Sequence, residues 1–264
     1  MGVREIVGKR LPFLRWSVVR MGLGMRNLMT NWQVGDGREA ALLRFVLANA
    51  RPGDIDDAIR IIDKFAYEKA FLINVGDEKG ALLDAAVARA KPRRLLELGT
   101  YCGYSALRTI RAAPRGAELF TVEFNADNAE IARQIFEHAG IADRVTIVHG
   151  TLGDGGSTAT ALREKHGFVK GSLDFLFLDH AKDAYLPDLL LILRERWLRT
   201  GAIIVADNVK VPGAPEYRAY MKANEGTLFR SREHDTHAEY QTLLADIVLE
   251  SELLDEPQRL AEGA

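Results

Sequence analysis

A single cysteine, Cys102, stands in 264 residues. That excludes an internal disulfide framework and a thiolate zinc cluster, and it fits a reducing compartment. No apolar run approaches the ~18 residues that a membrane-spanning helix needs. No long apolar core with a small-residue cleavage site follows the start, so a secretory signal is not expected. Charge of one sign is missing too. The net charge is −2, which gives no basic field to attract nucleic acid. Internal repeats and low-complexity tracts are absent. What remains is an ordinary hydrophobic share, 47%, in a chain long enough for one large α/β domain with an appendage.

The appendage is legible at the start. Arg4, Lys9, Arg10, Arg15, Arg20 and Arg26 face one acid, Glu5, before Asp36, and Leu11, Phe13, Leu14, Trp16, Val18, Val19, Met21 and Leu23 interleave with them. Residues 1–35 are therefore expected to form a basic amphipathic segment. It touches an anionic membrane surface or a partner, or else packs on the protein's own body or frays as a tail. The expected location is cytoplasmic, with peripheral membrane contact through this segment.

Helical periods follow. Ala40–Ala50 carries Leu42, Leu43, Val46 and Leu47 on one face. Asp54 caps a helix over Ile55–Phe71, and a third helix covers Glu78–Ala90 after the loop Ile73–Asp77. Apolar runs then alternate with helices. Strands are expected at the run ending in Leu98, at Glu118–Phe124, Arg144–Val148, Leu173–Leu178 and Ile203–Ala206. Helices are expected at Ser105–Ala112, Ala126–Ala139, Thr158–His166 and Leu186–Leu198. That alternation predicts a doubly wound, parallel α/β sheet. Thr227–Arg232 and Glu239–Leu249 read as an antiparallel pair at one sheet edge, and residues 255–264 as a polar tail.

The stretch Leu95-Leu96-Glu97-Leu98-Gly99-Thr100-Tyr101-Cys102-Gly103-Tyr104-Ser105 organises the rest. Strand, glycine turn, helix is how an open α/β sheet makes a nucleotide-binding corner. The dinucleotide pattern G-x-G-x-x-G is not there, since Thr100 and Tyr101 follow Gly99. Glu97 at the strand tip would repel a pyrophosphate and suits a cationic ligand. S-adenosylmethionine, with its sulfonium and ammonium, matches that sign. The plainer alternative is a solvated strand-end acid beside a simple turn. Cys102 reads as a small buried residue at a helix start rather than a catalytic thiol.

The other strands also end in polar groups. Glu123 lies where an acid grips ribose hydroxyls. Asp179-His180 and Asp207-Asn208 end the fourth and fifth strands, and such ends converge on one crevice. Asp179, Asp207 and Asn208 offer two carboxylates and an amide oxygen, a set for Mg²⁺ or Ca²⁺. His180, pointing away from Asp179 on an extended backbone, faces the cofactor side. Lys182 beside a divalent cation is a candidate base. Its alternative is a surface lysine paired with Asp183.

The segments L-E-L-G-T-Y-C-G-Y-S, F-L-D-H-A-K-D-A-Y-L-P-D, A-D-N-V-K-V-P-G and A-E-Y, with I-N-V-G-D-E-K-G upstream, resemble the catechol O-methyltransferase family. The similarity runs from about Asn27 to about Leu249 at nearly constant spacing. It implies a Rossmann-like methyltransferase fold over residues 36–254: a mostly parallel, seven-stranded sheet with helices on both faces, an antiparallel C-terminal hairpin and extra N-terminal helices. It implies a Mg²⁺-dependent transfer of methyl from S-adenosylmethionine to one hydroxyl of a catechol. In that pattern Asp179, Asp207 and Asn208 match the Mg²⁺ ligands, Lys182 the general base and Glu239 the anchor of the second hydroxyl. Asn208, Phe71 and Pro212 match substrate contacts. Val75, Glu97, Gly99, Tyr101, Ser105, Glu123, Phe124, Asp179 and His180 belong to the cofactor site. Three departures stand out. Ala181 replaces a tryptophan that stacks on adenine, Leu152-Gly153 a polar pair near the same base, and Phe71 a tryptophan at the substrate mouth. A lost stacking ring is expected to weaken cofactor binding by ~1 kcal/mol unless Phe124 compensates.

Competing readings are a methyltransferase for other vicinal diphenols, such as caffeoyl esters, caffeoyl thioesters or flavonoids, an NAD-dependent oxidoreductase, and a non-catalytic membrane-associated binding protein. The partner expected is a small-molecule diphenol, with oligomeric state left open.

Overall fold

The computed structural model describes residue 33 and residues 35–255. The readings placed on residues 1–35 and on the tail from 255 therefore fall almost wholly outside the described residues. Among the described residues the first helices are α1 (Arg38–Asn49), α2 (Ile55–Glu68) and α3 (Gly76–Ala90). Asp54 caps α2, its carboxylate accepting from Asp57 N, and Ile59, Ile62, Phe65 and Ala66 bury the inner face. The alternating part follows as β1 (Arg94–Leu98), α4 (Tyr104–Ala112), β2 (Glu118–Glu123), α5 (Ala126–His138), β3 (Val145–His149), α6 (Ser157–Glu164), β4 (Leu173–Leu178), α7 (Tyr185–Arg194) and β5 (Leu198–Ala206). Helix α8 (Pro215–Ala223) and strands β6 (Phe229–His237) and β7 (Ala245–Leu253) complete the fold.

One seven-stranded sheet has the order β3-β2-β1-β4-β5-β7-β6. Strands β1 to β5 run parallel, and β7 joins β5 antiparallel and pairs β6 as a hairpin. Alternation along each strand splits the apolar residues between two cores. Leu95, Leu119, Phe175 and Phe177 face one layer with α1 to α5. Leu96, Leu98, Phe120, Leu176 and Leu178 face the other, with α6, α7 and α8. The order turns back between β1 and β4, so their carboxyl ends open a crevice there.

Several boundaries differ from the expected ones for local reasons. Helix α7 stops at Arg194, not Leu198, because Arg196 adopts φ 58° and swings Trp197 into the second core. Strand β5 then starts early, and a register shift lies between its pairs Leu173↔Leu198 and Phe175↔Ile203. Glu239 was expected in the last strand but sits in the β6–β7 turn. Tyr240 there has φ 50°, and the Gln241 side chain ties Ala238 O to Leu243 N and Leu244 N. Helix α8 was not foreseen. Pro215 starts it and Tyr217 and Met221, one turn apart, bury its inner face.

Gly99 decides how closely β1 and β4 approach at the crevice. It has φ 99°, and a Cβ there would lie 2.5 Å from the Asp179 carbonyl oxygen. The opposing atom is backbone and cannot swing away. Gly99→Ala is expected to cost about 1–3 kcal/mol. Urea unfolding checks it, and unchanged stability would show that the two tips part freely.

Candidate active site

The glycine turn after β1 is held from two sides. Gly99 N donates to Val122 O at 3.0 Å and Gly103 N to Thr100 O at 2.8 Å. Glu123, at the tip of β2, accepts Thr100 N at 3.2 Å and Tyr101 N at 2.8 Å with one oxygen and Asn125 N at 2.9 Å with the other. Burial raises the Glu123 pKa while those backbone donors hold it down. Glu123 thus ties the turn after Gly99 to the tip of β2. Tyr101 reaches out of the turn and donates to Glu39 on α1 at 2.9 Å, a link that no sequence pattern announced. Ser105 is buried in the first turn of α4.

Glu97 is fully buried. One carboxylate oxygen accepts from Thr121 Oγ1 at 2.6 Å, and the other has no partner among the described residues. Burial pushes its pKa up to about 8, although Thr121 and Ser105 donate to it. A buried acid with a bare oxygen is costly unless a donor or cation meets it. Val75 is buried at the start of α3. Phe124 is exposed at 36%, just beyond Glu123, with its ring open to solvent. Leu152 is buried and Gly153 faces open space.

His180 leads out of β4. Its Nε2 pairs with Asp188 at 2.9 Å and its ring stacks on Tyr185 at 5.0 Å. Its Nδ1 is buried without a partner among the described residues.

The tips of β4 and β5 carry the acids. Leu178 pairs with Ala206, so Asp179 and Asp207 leave the sheet side by side, and Asp207 N donates to Leu178 O at 3.0 Å. Lys182, in a single 3₁₀ turn (Lys182–Ala184), donates to Asp179 Oδ1 at 3.0 Å and to the Tyr185 hydroxyl at 2.6 Å. The pairing with Asp183 weighed from the sequence does not appear. Tyr185 is fully buried, and its own hydrogen faces Leu178 O at 2.8 Å and Asp207 O at 3.0 Å. One phenol thus joins both acid-bearing tips to the lysine.

Asp207 Oδ1 takes Asn208 N at 2.7 Å and Lys79 Nζ at 2.8 Å, while Oδ2 is buried with no partner among the described residues. Asn208 has φ 55°, and its amide nitrogen donates to Glu239 Oε1 at 2.9 Å and Asp246 Oδ2 at 2.8 Å. Burial raises the pKa of Asp179 and of Asp207, against the pull of the neighbouring lysines. Burial opposes the charge on Lys79, but attraction to Asp207, Glu239 and Asp179 outweighs it and the amine stays protonated.

The residue set fits a hard divalent cation. The donors are oxygens, one buried carboxylate oxygen has no partner among the described residues, and four carboxylates against two amines give a formal surplus of two negative charges when all are ionised. Among the described residues no three His, Cys, Asp or Glu side chains form a metal group. Such an ion would therefore rest on two carboxylates and the Asn208 amide oxygen. Asp246 and Lys79 are the polar residues that sequence reasoning missed here.

Phe71 and Tyr240 make an aromatic wall beside Glu239, edge to face at 6.4 Å. Tyr240 donates to Asp63 at 3.1 Å, where Tyr104 also donates at 2.7 Å. Pro212 is exposed in the segment after Asn208. Among the described residues no helix is long and apolar enough to cross a membrane.

Comparison with known proteins agrees with this arrangement. Residues 57–219 match the family model described as O-methyltransferase. A probable O-methyltransferase of Mycobacterium tuberculosis is 61% identical over 234 residues, 89% of this chain and 100% of that protein. Mouse catechol O-methyltransferase is 38% identical over 236 residues, 89% of this chain and 86% of that protein. In fold, an O-methyltransferase of Streptomyces achromogenes, solved in complex with SAM, superposes with a TM-score of 0.58 at 22% identity, covering 72% of this chain and 86% of that one. With the sheet order, the crevice and these relatives in agreement, the chain belongs to the O-methyltransferase family.

Proposed function

We propose that this protein transfers a methyl group from S-adenosylmethionine to one hydroxyl of a catechol, with Mg²⁺ at the strand tips. One observation carries the reading: the doubly negative cluster at Asp179, Asp207, Asn208 and Glu239, with the Lys182 amine hydrogen-bonded into it. The resemblance to mouse catechol O-methyltransferase and the SAM complex of the Streptomyces relative support it.

Each group then has a task. Glu97 and Glu123 receive the cationic and ribose ends of S-adenosylmethionine, which supplies an electrophilic methyl when bound. Val75, Gly99, Tyr101, Ser105, Phe124 and His180 line the same pocket. A Mg²⁺ ion held by Asp179, Asp207 and Asn208 would lower the pKa of a coordinated phenol. Lys182, in its neutral-amine form, accepts the proton of the reacting hydroxyl and becomes the ammonium, and Tyr185 fixes where its nitrogen points. Glu239 accepts a hydrogen bond from the second hydroxyl. Phe71 and Pro212 border the ring. Nucleophile and methyl carry opposite tendencies already, so most of the acceleration comes from holding them in line.

The test is product formation from methyl-labelled S-adenosylmethionine with a panel of phenols, with and without chelator. Transfer to vicinal diols, loss with chelator and recovery on adding Mg²⁺ are expected. Equal transfer to monophenols, or activity indifferent to chelator, overturns the reading. Catechols preferred over caffeoyl thioesters and flavonoids would separate this assignment from its nearest neighbours.

A further inference from the structure

Lys79 is 1% exposed, deep inside the acidic cluster. It belongs to α3, one turn after the buried Val75. Its amine meets Asp207 Oδ1 at 2.8 Å, Glu239 Oε1 at 2.6 Å and Asp246 Oδ2 at 3.3 Å. An ammonium has three protons, and here each has a carboxylate. The three acids come from three places: the tip of β5, the β6–β7 turn, and β7. Asn208 cross-links two of them again through its amide. Asp246 itself is fully buried, and its other oxygen accepts Val211 N at 2.9 Å.

We propose that Lys79 is an internal counter-ion that sets how tightly the strand tips hold a divalent cation. This rests on the Mg²⁺ reading above. Carboxylates crowded in a buried site repel one another, and one fixed amine keeps Asp207, Glu239 and Asp246 assembled without metal. The same amine subtracts one positive charge's worth of attraction from any arriving cation. Lys79 thereby trades metal affinity for a cluster that stands on its own, leaving a divalent ion exchangeable rather than part of the fold. Asp246 is outside the oxygen set assigned to the metal, so its charge can be changed without deleting a ligand.

Charge counting gives an ordering that a merely structural role would not. Lys79→Met makes the cluster more negative by one, Asp246→Asn less negative by one, and the double variant restores the original surplus. One unit charge a few ångströms from a divalent ion in a partly buried site is worth about tenfold or more in affinity. The experiment is a Mg²⁺ titration by calorimetry on the full chain and these three variants, each stripped with chelator, alongside melting of the metal-free proteins.

Lys79→Met is expected to bind Mg²⁺ about tenfold tighter than wild type while melting lower without metal. Asp246→Asn is expected to bind about tenfold weaker, and the double variant to return close to wild type. Weaker binding in all three variants overturns the proposal, because loosening of the cluster would then explain everything. If Lys79→Met does not fold, the double variant decides: recovery relative to Asp246→Asn supports the proposal, and further loss overturns it. A wild-type protein with no Mg²⁺ binding would remove both the metal reading and the proposal. Binding with the wrong order removes the proposal alone.

Discussion

Lys182→Ala is expected to lower kcat by about 10²- to 10⁴-fold, the range of a lost general base. Cofactor affinity should hardly move, since Lys182 donates to Asp179 and Tyr185 and to neither Glu97 nor Glu123. Tyr185→Phe is the companion variant. It keeps the ring against His180 and Tyr217 but deletes the oxygen that accepts the Lys182 amine at 2.6 Å. The amine then keeps only Asp179 and gains freedom to swing. A smaller fall of about tenfold in kcat, with KM little changed, is expected from misaim of this kind. Steady-state kinetics on both variants, with calorimetric S-adenosylmethionine binding, checks the pair. Full activity in Lys182→Ala would strip that residue of its role. A Tyr185→Phe enzyme defective in KM alone would show that the phenol serves the binding of substrate instead.

The strand-tip chemistry could be read in advance because a parallel strand has one polar event to offer, at its end. Apolar runs closing in Glu97, Glu123, Asp179 and Asp207 name their own tips, and a doubly wound order brings the tips together. Register does the rest: once Leu178 lies beside Ala206, Asp179 and Asp207 are neighbours. Lys79 was not visible in this way because its partners come from the far end of the chain, Glu239 and Asp246. Its signal was present all the same. Lys79, Leu83, Ala86 and Val87 share one helical stripe, and a lysine on a buried stripe asks for acids. Glu39 is the same case: an acid buried on the inner face of α1, next to Leu42 and Val46, met there by Tyr101. The β6–β7 turn was misread as strand because Glu239 to Leu249 has strand-like apolar content. What breaks the strand is Gln241 folding back on the backbone, a capping interaction that composition does not reveal. Helix α8 hid behind a short amphipathic period that only Pro215 at its first position marks.

Affinity for S-adenosylmethionine is expected to climb with pH and level off near 8, and Glu97 is the reason. In the free protein burial pushes Glu97 up to about 8, so it holds its proton at neutral pH. Its second oxygen has no partner among the described residues. A bound ammonium would favour the carboxylate, so binding must expel the Glu97 proton. The sign follows by linkage: the free state binds one more proton than the complex below about pH 8, and raising pH favours the complex. Above that point Glu97 is already ionised in the free protein, so binding releases no proton and the gain levels off. Between pH 6.0 and 7.5 the dissociation constant of unreactive S-adenosylhomocysteine, which carries the same amino group, should fall about 20-fold. Calorimetry in buffers of different ionisation heat should register one proton released per ligand near pH 6.5. Glu97→Gln supplies the control. It keeps an acceptor for Thr121 but cannot ionise, so its binding should be about 10- to 100-fold weaker at pH 8, with no proton released and no rise between pH 6.0 and 7.5. A wild-type protein that binds without releasing a proton, or a Glu97→Gln variant with an unchanged slope, would show that the buried carboxyl of β1 does not meet the ligand's amine.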